Sequence, residues 1–147
     1  MSDYPDRNAI RTAFAELLRP FYVPGRLAAD VMDHYTEDLG GMTPVVVCAD
    51  SGLEPMDLTP RGYQVGVYLS VMHFVLKGEA LNPGYTAADA DAKLSAMTVA
   101  LMRAVQTVQA AGLWLDITFN GRSSIKQYRV GGKIYWGEVF ELRFLAL

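Results

Sequence analysis

Three side chains able to act as acids, bases or metal ligands recur at helical spacing: Asp30, His34 and Asp38, at i, i+4 and i+8. Histidine and carboxylates so placed can hold a metal ion. On a helix, however, the outer two stand about 12 Å apart along the axis and cannot reach one ion. A solvated acidic face shared with Asp33 and Glu37 is the better reading. His73 lies in an apolar run, where a lone histidine reads as a satisfied core or interface residue rather than a general base. Ser70 falls on the opposite face of that strand, so the two form no nucleophile–base pair within it. Ser51-Gly52 and Ser123-Ser124 lack the context of a nucleophile elbow. Gly62-Tyr63-Gln64-Val65-Gly66 does not match a phosphate-cradling loop and leads into no helix. Cys48 is the only cysteine, which excludes an intrachain disulfide and a cysteine metal cluster; in the run Val45–Ala49 it reads as a small buried hydrophobe. The expectation is a protein that is not an enzyme, with no catalytic, cofactor-binding or metal-binding residues.

These residues must be placed by secondary structure, and the apolar spacing gives a plan for it. Ile10, Phe14, Leu17 and Leu18 predict a helix that Arg19-Pro20 ends. Tyr22–Gly25 is a connector. Leu27, Val31, Tyr35 and Leu39 predict a second helix, stopped by Gly40-Gly41. Val45–Ala49 is a short buried strand, and 50–62, punctuated by Pro55, Pro60 and Gly62, is a loop. Gly66–Leu76 is a strand with Val67, Leu69, Val71, His73 and Val75 on one side and Tyr68, Ser70, Met72, Phe74 and Leu76 on the other. Both sides are apolar, so another layer or another chain should cover each. A second loop spans Lys77–Tyr85.

A capping box, Thr86-Ala87-Ala88-Asp89, opens a long helix that Gly112 stops, with Leu94, Met97, Leu101, Val105 and Val108 buried. Next comes a strand with Leu113, Leu115, Ile117 and Phe119 facing one way and Trp114, Asp116, Thr118 and Asn120 the other. Asn120-Gly121 signals a hairpin, Ile125–Val130 the return strand, and Gly131-Gly132 the next turn. The last strand puts Phe140, Leu142 and Phe144 inward, with Gly137 at a bulge or close approach. The prediction is one α+β domain over 1–147, a mainly antiparallel sheet with the long helix on one face and N-terminal helices.

The 147 residues are 51% hydrophobic and 11% aromatic, which suits one folded core rather than a disordered chain. The formal net charge of −3 argues against a dedicated sequence-independent DNA binder. The N-terminus lacks the order of a signal peptide and the longest apolar run, Val65–Leu76, is too short to span a bilayer, so the expectation is a cytosolic protein without membrane contact. Charge is unevenly spread. Residues 1–112 hold 8 basic and 13 acidic side chains, whereas 113–147 hold 5 and 3, with Arg122, Lys126, Arg129 and Lys133 in succession. A basic hairpin on an acidic body favours head-to-tail association of identical subunits. Protection of an edge strand by cations is an equal reading. Contact with nucleic acid, with Tyr128 and Tyr135 interleaved among the cations, is a third. Trp114 on a polar strand face, with Tyr63 and Tyr85 in loops, adds aromatic side chains of the kind enriched in interfaces.

The order of elements resembles that of the tail terminator proteins of long-tailed bacteriophages. The resemblance is carried by Ala9–Leu18, Val45-Val46-Val47, Tyr68–Leu76, the helix from Thr86, and Tyr128–Phe144, and the stretch Arg26–Leu39 is additional to the simplest family plan. It rests on element order and the character of the last strands, with no short motif. It implies a structural virion protein, made in the host cytoplasm, that forms a homo-hexameric ring on the head-proximal end of the tail. Such a ring caps the tail tube protein and joins it to the head–tail connector protein, with DNA only passing through. Arg122, Lys126, Arg129 and Lys133, then Tyr63, Tyr85 and Trp114, are the expected interface residues, chosen from pattern alone. Another head–tail completion adaptor, or a small cytosolic domain binding a ligand near His73 and Tyr68, are the alternatives.

Overall fold

Asp6 starts the first helix, its carboxylate accepting from the backbone N–H groups of Asn8 and Ala9 at 3.0 and 3.2 Å. Around it the computed structural model describes residues 6–59, 62–78, 85–108 and 112–146, the side chains of 55–59 and 62–64 not being among those described. The elements are α1 (Arg7–Tyr22), β1 (Asp30–Met32), β2 (Val45–Thr59), β3 (Gly62–Leu76), α2 (Ala87–Thr107), β4 (Trp114–Phe119), β5 (Ser124–Val130) and β6 (Lys133–Ala146). The sheet runs β1-β2-β3-β6-β4, and β5 also pairs with β6. Among the described strands only β1 and β2 run parallel to each other; the other strand pairs are antiparallel. The fold is α+β, as the sequence predicts.

Both helices pack on one face of the sheet. Phe14 of α1 meets Phe144 and Trp114 edge-on, with ring centroids 4.9 and 6.2 Å away. The predicted stripe Leu94, Met97, Leu101, Val105 and Val108 is buried, and Thr86 caps α2 by accepting from Asp89 N–H. Val67, Leu69, Val71, His73 and Val75 line the same helix-side layer, and so do Phe140, Leu142 and Phe144. The opposite face is covered from within the chain at one end. There Leu39, Val45, Val47, Phe74, Val130 and Tyr135 form a second cluster with Met42, Met72, Leu76 and Tyr128 against it. The strand apolar on both sides therefore finds a second layer without a partner chain at that end. Gly137 is the expected close approach: a Cβ there would stand 2.5 Å from Tyr128 Cδ2 and 3.0 Å from Phe74 Cε1.

Several expected elements differ. The second helix does not form. Asp30–Met32 pairs with β2 instead, while Arg19 reaches across from α1 to the Asp30 carboxylate and the Val31 carbonyl. Beyond it, Thr36 and Asp38 side chains bond local backbone, a competition that disfavours helix. The fold thus has one N-terminal helix, and it continues through Pro20 to Tyr22 because Val23 N–H still reaches Arg19 C=O. The expected loop at 50–62 is strand through Thr59: β2 and β3 form one long hairpin, with Pro55 on an edge where its missing N–H takes no ladder bond away. Asn120-Gly121 turns no hairpin. β4 and β5 lie end to end along the same edge of β6, and between Phe119↔Leu142 and Ser124↔Val139 the outer strand holds two extra residues. A register shift between Trp114 and Asp116 also breaks the alternation of β4. Ile117 is buried as expected, while Leu113, Leu115 and Phe119 are exposed and Trp114 is the buried residue. Residues 79–84 of the second loop and 109–111 at the expected end of α2 lie outside the described residues.

Candidate functional site

The basic residues converge on a free strand edge. β5 pairs with β6 on one side, from Ser124↔Val139 to Val130↔Lys133, and with no described strand on the other. Arg122, Lys126, Arg129 and Lys133 are all exposed. None of the four takes part in an ion pair among the described residues. Lys126 stands opposite Gly137 on the open face of the sheet and Arg129 opposite Ile134 on the helix side. Lys133, at the hairpin turn, runs past Gly41 on the segment that follows β1. Asp38 on that segment abuts Gly131 at the same turn, while Lys126 and Arg129 stand on the open β5 edge.

The aromatic candidates separate. Trp114 is 1% exposed, packed on Phe14 and Phe144, with Nε1 donating to Val108 C=O at 2.9 Å. Its expected place on a polar face is corrected by the register shift in β4, and its side chain cannot serve a contact between subunits. Tyr85 is half-buried against the helix-side core and lines a cleft of ≈ 620 Å³ with Leu27, Thr43, Asp89, Ala92, Lys93 and Ala96. Tyr63 pairs through its backbone with Leu58, and its side chain lies outside the described residues.

His73 is enclosed rather than presented. It is 0% exposed, its ring 5.3 Å from that of Phe140 and its Nε2 2.8 Å from the Tyr22 hydroxyl. Among the described residues the phenol has no other acceptor, so it donates to Nε2 and the ring proton is assigned to Nδ1, which has no partner among them. Burial lowers the imidazole to about 3 and raises Tyr22 well above its ordinary value. Cys48 is buried and raised to about 12, first by desolvation, so it stays a thiol. Tyr68 lies on the other face, donating to Glu54 at 3.1 Å, so no pocket joins His73 to Tyr68. His34 pairs with Asp33 at 2.8 Å while Asp30 turns to Arg19, so the acidic triplet does not converge.

Two features were missed in the sequence. The first is a second open edge. Beyond Val47, β2 has no described strand on the side away from β3, and this stretch carries the exposed Asp50 and Glu54. Gly52 and Pro55 made it read as loop; the acids recurring there were the available signal. The second is Glu138, 8% exposed, which accepts from Thr98 of α2 at 3.1 Å and from Ser123 at 2.8 Å. Among the described residues no group of His, Cys, Asp and Glu is placed to hold a metal, and no described helix is long and apolar enough to cross a membrane. No protein-family model matches the chain, and no curated protein matches it.

Proposed function

We propose that this chain is a structural virion protein of the tail-terminator kind. It assembles head to tail into a ring that caps the tail tube and joins it to the head connector. The observation that carries this reading is the β5 edge: a strand with no described partner on its outer side, with Lys126 and Arg129 exposed and in no ion pair among the described residues. An open edge offers a row of backbone donors and acceptors to another chain, and unmatched cations on it select an acidic partner. A completion adaptor of the same particle would use the same edge. The native mass by light scattering, with negative-stain images of any large species, tests this. The expected species is a ring of about six copies, the closed cyclic form the resemblance implies. Lys126→Glu combined with Arg129→Glu is expected to reduce it to monomer, and an unchanged oligomer would falsify the role of this edge.

A ligand-binding reading is favoured by one observation, the cleft between Leu27, Tyr85 and α2 with Asp89 and Lys93 on its wall. Its size lies in the range of small-molecule sites. Binding there would raise the melting temperature in a screen of small polar metabolites, and Lys93→Ala would abolish the shift.

A further inference from the structure

The open stretch of β2 and the open edge of β5 lie on opposite sides of one sheet, and their charges are opposite. We infer that the β5 edge of one copy pairs with residues 50–54 of β2 in the next copy, Lys126 meeting Glu54 and Arg129 meeting Asp50. This rests on the ring reading and names the surface that receives the basic edge.

Strand direction permits it. β5 is antiparallel to β6, β6 to β3, and β3 to β2, so β5 and β2 of one subunit are antiparallel. Continuing the sheet from one copy into the next keeps this relation and keeps the helix side on the helix side, so β5 meets the neighbour's β2 in an antiparallel ladder. Lys126 stands level with Phe74 and Glu54 with Gly66, eight ladder positions apart, so the strands of a closed ring built this way cross its axis obliquely.

Register then decides. Lys126 is on the open face and Arg129 on the helix side, three positions apart. Glu54 is on the open face, opposite Gly66 and bonded to Tyr68, and Asp50 is on the helix side, opposite Leu69 and 3.6 Å from Arg7 of α1. By sequence number the acids are four apart, which in a regular strand would put them on one face. The register shift between Asp50 and Gly52 makes Ser51 the extra residue, so Asp50 and Glu54 span three ladder positions, Leu69 to Gly66, and fall on opposite faces. One register therefore brings both cations to both acids with faces matched. It also sets Gln127 opposite Leu53 and Tyr128 opposite Gly52. A regular strand would satisfy one pair only.

The test is cross-linking in otherwise full-length chains, whose single native thiol, Cys48, is buried. Gln127→Cys and Leu53→Cys occupy exposed positions that the register places directly opposite, where Cα atoms lie about 4.5–5.5 Å apart, within reach of a disulfide. Mixing the two single variants under mild oxidation is expected to give a linked dimer, and the double variant a ladder of linked copies. Both should form roughly ten-fold or more faster than with Gln127→Cys and Val99→Cys, a pair the register keeps apart. Self-linking of Gln127→Cys alone would mean that β5 pairs with β5, and would overturn the inference. A ring of wild-type mass with no Gln127–Leu53 link would overturn it while leaving the ring reading intact. A monomer with no link would remove both.

Discussion

His73 shows what burial does to a residue that looks catalytic. The imidazole is held at about 3 by desolvation alone, against 6.5 in the unfolded chain. At any pH between those values the unfolded state binds a proton that the native ring refuses, so stability rises with pH across this window and is lost as pH falls through 6.5 toward 3. Between pH 7 and pH 5 the loss from this one group is about 2 kcal/mol. His73→Gln keeps an acceptor for Tyr22 and cannot titrate. Denaturant melts at the two pH values should show the variant losing that much less than wild type; equal losses would mean that His73 is solvated. The sequence reading had this residue as core, and the apolar strand around it was signal enough. Trp114 was misread for an equally specific reason, since alternation assigns faces only while the register is regular, and the shift before Asp116 exchanges the two sides.

At the scale of elements, the clearest signals were those in which local and tertiary demands agree. Thr86 caps α2, its apolar stripe is buried, and Phe140, Leu142 and Phe144 point inward. Gly137 is legible in the same way. The hairpin of β5 and β6 closes with the Tyr128 ring and Phe74 both crowding the side of the glycine where a Cβ would stand, so no side chain fits. Gly137→Ala is expected to force Tyr128 aside and cost about 1–3 kcal/mol as an overpacked site, read as a lower urea midpoint with an unchanged slope; an unaltered midpoint would show that the ring yields freely. What could not be read was where partners outrank periodicity. Leu27, Val31, Tyr35 and Leu39 do repeat every four residues, yet Val31 is needed in the sheet and Leu39 in the second cluster, on opposite faces of it. No helix can deliver both. In 50–59 the breakers Gly52 and Pro55 hid a strand that its pairing with β3 maintains.

For the whole molecule the charge imbalance was visible from composition, but its geometry was not. Three of the four acids expected to form one helix face are instead engaged locally: Asp30 by Arg19, Asp33 by His34 and Thr12, and Asp38 by the Gly40 N–H. Among the cations without an ion pair in the described residues are Lys126 and Arg129 on β5, and Asp50 and Glu54 on β2 stand at the far side of the sheet. An assembly joined there rests on exposed ion pairs along a backbone ladder, each pair contributing up to about 1 kcal/mol and screened as salt rises. The exposed apolar side chains Val99, Met102, Phe119 and Ile125 offer a different kind of contact on the helix side, which high concentrations of excluded salts would strengthen. The sign of the salt response separates the two. Between ~0.1 M and ~1 M salt the Debye length falls from about 10 Å to about 3 Å. Light scattering across that range should then show the assembled mass giving way to smaller species. A mass that holds or grows would place the contact on the apolar side chains and away from β5.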